Sequence, residues 1–330
     1  MSLKYVKKIM SLLLCLGMIA TMLIGCGSSK EEILIYSAGE DYKIAYMQER
    51  LNEQFPDYDI TIEYMSTGNM AAKLLSEGSA TDCDIVHDME YGYMAQLDAE
   101  NAFADLSSYN TSMYTEDVIQ SKNYLVECRV GGAIIVNTEI LKEKGLNKPS
   151  SYEDLLKPEY KGFISMPNPK SSGTGYIFLK GLVNAWGEEQ AFEYFEKLTP
   201  NVLQYTSSGS GPVNALVQGE VAIGLGMTSQ AVTQINEGAP LEILFFEEGS
   251  PYTIYGQSIV AGKDERESVK EVFNFIVNTL TYETVENFYP EKIYKDIDYK
   301  MDNYPENITY SDMSNNGIEE KERLLEKWVY

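Results

Sequence analysis

A single histidine, His87, stands among 330 residues, and only four cysteines accompany it. So little imidazole and thiolate leaves most zinc sites without ligands and nearly every Ser-His-Asp arrangement without its base. Four cysteines are also too few for a disulfide scaffold. Basic side chains are scarce, with 26 Lys and Arg against 50 Asp and Glu and a formal net charge of −24. A chain this acidic lacks the basic face that nucleic acid requires, so no nucleic-acid partner is expected. A P-loop signature is missing too, and Gly173-Thr174-Gly175 and Gly209-Ser210-Gly211 are only fragments of a dinucleotide fingerprint. No cofactor and no metal are expected.

What is present reads as globular: 44% hydrophobic and 23% charged residues. The length leaves room for two domains at roughly 100–200 residues each. Residues 1–25 stand apart from the fold. Lys4, Lys7 and Lys8 precede the apolar run Ile9–Ile24, and Leu23-Ile24-Gly25-Cys26 closes it. This is the layout of a secretory signal rather than a membrane span. The segment resembles a bacterial lipoprotein signal, which implies that Cys26 is diacylated and becomes the new N-terminus. Residues 26–32 then form a tether, and the domain works on the outer face of a membrane or in the periplasm, held by lipid. Disulfides are permitted there, so Cys83 and Cys128 either bridge or remain buried thiols.

Beyond the tether, strand and helix patterns alternate. Ile33–Ser37 reads as a strand, and Tyr42–Phe55 as a helix with Ile44, Met47, Leu51 and Phe55 on one face. Ile60–Met65 and Asp84–His87 are further strands around a short helix after Gly68. Such alternation means βαβ units and an α/β fold with mostly parallel sheets. A long extended run, Tyr124–Asn137, leads to a second series. There Ser150 and Glu153 suggest a capping box opening a helix to Leu156. Phe163–Met166, Val221–Leu225 and Leu241–Phe245 read as strands, with helices at Gly175–Trp186, Glu188–Leu198, Val213–Gln218 and Ser229–Glu237. A second extended run, Tyr252–Ala261, precedes a helix carrying Val269, Phe273, Ile276 and Leu280. The tail 291–316 is polar and irregular before a closing helix with Leu324, Leu325 and Trp328 inward. The pattern implies two lobes, 33–125 plus 260–330 and 138–250, joined by crossings at 126–137 and 251–259.

Ligands of open α/β sheets bind beyond the carboxyl ends of strands, where helix N-termini offer unpaired N–H groups. Four loops there are rich in small hydroxylated residues: Ser37-Ala38-Gly39, Ser66-Thr67-Gly68, Ser171 to Gly175 and Ser207 to Gly211. The candidate contacts are Ser37, Ala38, Thr67, Gly68, Ser171, Ser172, Gly173, Thr174, Ser207 and Ser208, an oxyanion-binding set. In the segment from His87 to Tyr91, Asp88 reads as a helix cap and Glu90 as a ligand contact. Arg129, inside an apolar crossing, either pairs with a carboxylate, reaches solvent or faces the cleft to clamp an anion. Tyr252 and Tyr255 on the second crossing are candidates for the cleft lining.

Several stretches carry a family resemblance: LIYSAGE, STGNMAAKLLSEG, AIIVNTEIL, SYEDLLKPEYKGFISMPNPKSSGTGY and VNALVQGEVAIGLGM. Together they resemble the extracellular solute-binding proteins of bacterial ABC importers, in the branch that takes ferric ion, phosphonates, sugar phosphates and polyamines. The resemblance implies a periplasmic-binding-protein-like fold of two α/β lobes, a two-strand hinge, and a monomer that hands a small solute to importer permease subunits. Ferric binders of that branch place paired tyrosines where this chain has Gly226-Met227-Thr228-Ser229, so Thr228 takes that place in the candidate site. The solute implied is a small anion: a phosphonate, phosphate ester or carboxylate. Polyamine or ferric-ion binding, or a subunit that senses ligand, are the alternatives, and a cell-surface hydrolase fits poorly with one imidazole.

Overall fold

The computed structural model describes residues 30–115, 118, 121–297 and 300–330. The signal segment and Cys26 lie outside the described residues. Strand β1 (Glu31–Ser37) alternates its side chains between two faces. Ile33 and Ile35 pack with Met47 and Leu51 of helix α1 (Asp41–Gln54), four residues apart on one helical face. Strand β2 (Tyr58–Tyr64) runs parallel to β1 on its outer side. Tyr36, on the opposite face of β1, packs with Met70 and Leu74 of α2 (Thr67–Glu77). Strand β3 (Ile85–Glu90) flanks β1 on its inner side, also parallel, and feeds α3 (Tyr91–Ala99).

The first crossing is β4 (Leu125–Asn137), and its two halves belong to different neighbours. It leads into α4 (Thr138–Lys144), β5 (Ile164–Pro167), α5 (Gly173–Trp186), α6 (Glu188–Leu198), β6 (Val202–Thr206), α7 (Gly211–Val217), β7 (Ile223–Met227), α8 (Thr228–Asn236) and β8 (Leu241–Leu244). The chain returns through β9 (Tyr252–Ile259) and ends with α9 (Glu267–Phe275), α10 (Thr281–Phe288) and α11 (Ile318–Lys327). The strand order is β2-β1-β3-β9-β4-β7-β5-β6, with β8 also paired to β4. Leu125–Gly131 of β4 pairs antiparallel with β9, whereas Gly132–Asn137 pairs antiparallel with β7 and β8. Outer strands are parallel and both crossing strands join antiparallel, so each half of the sheet is mixed.

The handover in β4 falls at two adjacent glycines. A Cβ on Gly132 would sit 2.8 Å from the Phe178 ring, and one on Gly131 would sit 3.0 Å from both Glu291 and Ser250. Only glycine lets neighbouring side chains approach the backbone this closely.

The sequence pattern and the structure part company at identifiable places. Strand β6 carries little strand pattern, because only Val202 and Leu203 in it are aliphatic and Leu203 is exposed. The helix running from Val269 to Leu280 is interrupted by a wide π-turn over Ile276–Leu280 before α10. The Ser150 and Glu153 capping box does not form. Asp154 instead accepts from the Ser150 N–H and hydroxyl, and Ser151 caps a short 3₁₀ turn at Asp154–Leu156. Cys83 and Cys128 are both free and buried. The closing helix differs most in its surroundings: Leu324 and Trp328 bury among Phe195, Leu198 and Tyr205 of the 138–250 segment. Helix α11 thus packs on the 138–250 segment as well as on α3 of the first half.

Candidate functional site

Loops at the carboxyl ends of the strands from both halves converge on one cavity. Ala38, Glu40, Tyr64, Ser66, Thr67 and Asp88 line it from the β1–β3 side. Ser171, Ser172, Gly173, Thr174, Ser208, Gly209 and Met227 line it from the β5–β7 side, and Val130, Tyr255 and Tyr289 close its back.

Each oxyanion-type contact is set by a helix start. The chain turns from β5 into α5 at Ser172, whose hydroxyl accepts from the Gly175 N–H at 3.4 Å. The neighbouring N–H groups of that first turn have no intrahelical partner. Helices α2, α5, α7 and α8 start near the cavity, and none has an acid in its first turn. That leaves their positive ends uncompensated. Loop 207–211 lies directly on Thr174: a Cβ on Gly209 would fall 3.1 Å from the Thr174 Cβ.

Beneath the first-half wall sits a sealed ionic network. Lys43, fully buried on α1, donates to Asp88 at 2.8 Å and lies 2.7 Å from Glu127. Burial works against its charge, yet the two carboxylates outweigh that and hold its pKa above the ordinary lysine value. His87 is pushed down to about 3 by burial and by the Lys43 charge, so it is neutral. Its Nδ1 lies 3.0 Å from the Ser37 hydroxyl, which also accepts from the Gly39 N–H at 3.1 Å. Asp88 adopts a left-handed φ of 54°, in a register irregularity between Val86 and Met89 where β3 meets β9. Such a bulge re-aims a side chain, here turning the carboxylate toward the cavity and Lys43. Gly39 makes room for it, since a Cβ there would lie 2.9 Å from Asp88 Oδ2. Asp88, Glu127 and Cys128 offer ligand atoms close together, but the Lys43 ammonium already occupies the space between the two carboxylates.

Of the residues singled out in the sequence, Ala38, Thr67, Ser171, Ser172, Gly173, Thr174, Ser208 and Tyr255 line the cavity. The others stand elsewhere. Ser37 lies behind the wall, bonded to His87, and Gly68 faces the Tyr93 hydroxyl. Glu90 does not line the cavity: it caps α3 by accepting from the Gly92 N–H at 3.0 Å and pairs with Lys321 of α11. Asp88, read as that cap, is instead a cavity residue. Arg129 does not line the cavity: its guanidinium lies against the touching rings of Tyr252 and Tyr310, 5.2 and 5.4 Å from their centroids, with Glu291 nearby. Tyr252 is thereby taken up as well. Ser207 is exposed beyond the lining. Thr228, wholly buried at the start of α8, has an unpaired hydroxyl among the described residues and does not line the cavity. Glu40, Tyr64, Ser66, Asp88, Val130, Gly209, Met227 and Tyr289 also line the cavity, beyond the candidate contacts of the sequence. Of these, only Ser66 and Gly209, within the hydroxylated loops, and Glu40, next to the first of them, carried a local signal.

The model of the family described as bacterial extracellular solute-binding protein matches residues 36–279. The chain belongs to this family. Members are transport binding proteins that deliver small molecules to ABC importer permeases. An uncharacterised protein of Haemophilus influenzae is 26% identical over 92% of this chain and 92% of its own length. The spermidine/putrescine-binding periplasmic protein of Salmonella typhimurium is 24% identical over 80% of this solute-binding protein and 78% of its own chain. The solved structure of the periplasmic binding protein AfuA from Actinobacillus pleuropneumoniae, with fructose 6-phosphate bound, superposes with a TM-score of 0.81 at 25% identity. It covers 91% of this chain and 98% of that one.

Proposed function

We propose that this solute-binding protein captures a small anionic organic solute, with a sugar phosphate the best-fitting class, and presents it to an importer. One observation carries the reading: the acid-free starts of α2 and α5 and the Ser208-Gly209 turn converge on the same cavity. A helix start supplies roughly half a positive charge and unpaired donors, which suits an oxyanion in a chain of strongly negative net charge. The acids at the other end, Glu40 and Asp88, are suitable acceptors for hydroxyl groups. The AfuA structure, with its bound fructose 6-phosphate, supports this class.

A polyamine is the second reading, favoured by the spermidine/putrescine-binding relatives and by Glu40, Asp88 and the tyrosines in the lining. Against it, Asp88 is already paired with Lys43, so its charge is spent. Ferric ion fits less well. The chain has Met227 and Thr228 where ferric binders place paired tyrosines. The Ser37 and His87 pair does not support a hydrolase, since both side chains are sealed from solvent. Thermal-shift and calorimetric titration with fructose 6-phosphate, a simple phosphonate, spermidine and ferric citrate tests the reading. Fructose 6-phosphate or the phosphonate should bind, and Thr174→Val or Ser208→Ala should weaken binding about ten- to a hundredfold, as for one hydrogen bond to a charged ligand. Selective binding of spermidine overturns it.

The protein acts as a monomer held at the membrane through lipid on Cys26. Among the described residues no helix is long and apolar enough to cross a membrane. Cys26→Ala should release the protein from washed membranes, and retention of the variant would refute the anchor.

A further inference from the structure

After α10 the tail 289–316 is fastened first to one half of the molecule and then to the other. Near its start it is tied to the first half. The Thr115 N–H donates to the Ile293 carbonyl at 2.9 Å, the Lys295 N–H donates to the Met113 carbonyl at 2.8 Å, and the Tyr294 ring stacks on Tyr114 at 5.1 Å. Further on it is tied to the second half. Asn236, at the end of α8, donates to the Asp302 carbonyl at 2.9 Å and accepts from the Asn303 amide at 2.7 Å. The Ser250 N–H donates to the Thr309 carbonyl at 2.8 Å, and Asn184 of α5 donates to the Asp312 and Ser314 carbonyls, each at 2.9 Å.

Glu291 is where the two stretches meet. It stands in the stretch tied to the first half and is 3% exposed. Its carboxylate accepts from the hydroxyls of Tyr304, at 2.9 Å, and Tyr310, both in the stretch tied to the second half. It also accepts from the Gly131 N–H at 2.9 Å, at the handover of β4 from β9 to β7 and β8. At the next residue the Gly132 carbonyl accepts from the Ser250 hydroxyl at 2.8 Å. Two buried side chains thus take up backbone groups at the handover. A buried backbone N–H needs a partner, so the Glu291 carboxylate both completes the crossing strand and ties the tail to it.

We propose that residues 289–316 form a strap across the crossing strands, jointed at Glu291, that biases the ligand-free molecule toward its closed arrangement and so raises its affinity for ligand. The Tyr304 and Tyr310 bonds to Glu291 join stretches that travel with different halves. They are made here with the cavity narrowed to about 40 Å³, and parting its walls pulls the two tyrosines away from the carboxylate. An interaction made in one arrangement and lost in the other shifts the balance between them. Ligand holds the closed arrangement, so its apparent affinity drops in proportion to the closed fraction that is lost. The strap acts whichever solute enters.

Solution scattering and calorimetric titration with fructose 6-phosphate test the strap, on wild type, the double variant Tyr304→Phe with Tyr310→Phe, and Asn236→Ala. The double variant removes both hydroxyls from Glu291 and keeps the rings. Asn236 is exposed, so Asn236→Ala loosens the far end of the strap without touching the crossing strands. Both variants should have a larger ligand-free radius of gyration than wild type and the same radius when saturated. Binding should weaken about tenfold in the double variant, within the usual range of conformational coupling, and less in Asn236→Ala. A tail that only stabilises the fold would lower the melting temperature while affinity and the contraction on binding stay those of wild type, and that result overturns the proposal. If fructose 6-phosphate binds none of the three proteins, the anionic reading fails and the ligand-free radii decide the strap: larger radii in the variants support it, equal radii overturn it. Melting curves establish that each variant folds, and Asn236→Ala alone decides if the double variant does not.

Discussion

Gly175 shows how a single missing methyl group shapes the cavity. It lies in the first turn of α5, where an added Cβ would sit 2.7 Å from the Asn168 carbonyl carbon and 2.8 Å from the Pro169 nitrogen. These are backbone atoms of the loop that follows β5, and they cannot swing aside as a side chain would. The close approach fixes the start of α5 against that loop and so sets where Ser172, Gly173 and Thr174 face the ligand. Gly175→Ala should cost about 1–3 kcal/mol, the usual penalty of overpacking. Urea denaturation measures the cost, and calorimetry with fructose 6-phosphate should show weakened binding as well. By contrast Gly145 and Gly162, at φ of 66° and 75°, meet nothing within 4 Å of a built Cβ, so glycine there serves backbone conformation alone.

Among the elements, α11 makes the connection that sequence order conceals. Its apolar face enters the core around Phe195. Its Lys321, 1% exposed, reaches the other half of the molecule to pair with Glu90 at the start of α3. The ammonium also lies over the Tyr93 ring at 4.0 Å and the Tyr176 ring at 4.6 Å. Burial lowers the Lys321 pKa and the Glu90 charge supports it, so each charge depends on the other. Lys321→Met should therefore cost about 3–5 kcal/mol, because it strands a buried carboxylate. The double variant Lys321→Met with Glu90→Gln should recover much of that loss. A double-mutant cycle by chemical denaturation measures it, and simple additivity would show that the two charges do not support one another.

At the scale of the whole molecule, the space available to water-sized groups in the cavity amounts to about 40 Å³. One water needs roughly 10–15 Å³ by this measure, so the cavity suits a few waters rather than a sugar phosphate. On the sugar-phosphate reading, the two halves should part to admit the ligand. Among the described residues only β4 and β9 carry the sheet between the halves, and a small rotation in two extended strands can separate the cavity walls while each half keeps its packing. Ligand should then reduce the radius of gyration in solution scattering and raise the melting temperature. A saturating ligand that raises melting but leaves the scattering unchanged would show that closure does not accompany binding.

Local pattern sufficed wherever the deciding interactions were near in sequence. Period-3.6 faces located α1 and α5, alternation located β2, and small hydroxylated residues at strand ends marked Thr67, Ser171 to Thr174 and Ser208. The glycines at 131 and 132 stood in the middle of the crossing, although their purpose is plain only beside Phe178 and Glu291. Tertiary structure decided what depends on distant partners. Arg129 lies against the Tyr252 and Tyr310 rings because the tail folds back over β4, and Glu90 is claimed by a lysine 231 residues away. Tyr64 and Tyr289 are two among 25 tyrosines, and no local pattern separates a cavity tyrosine from a packing one. The sequence by itself determined the alternating architecture and the hydroxylated loops, because backbone propensity and amphipathic spacing act over a few residues. Only the tertiary structure decided which charges are spent on one another and which remain for a ligand, because Coulomb pairing and desolvation depend on distance in space.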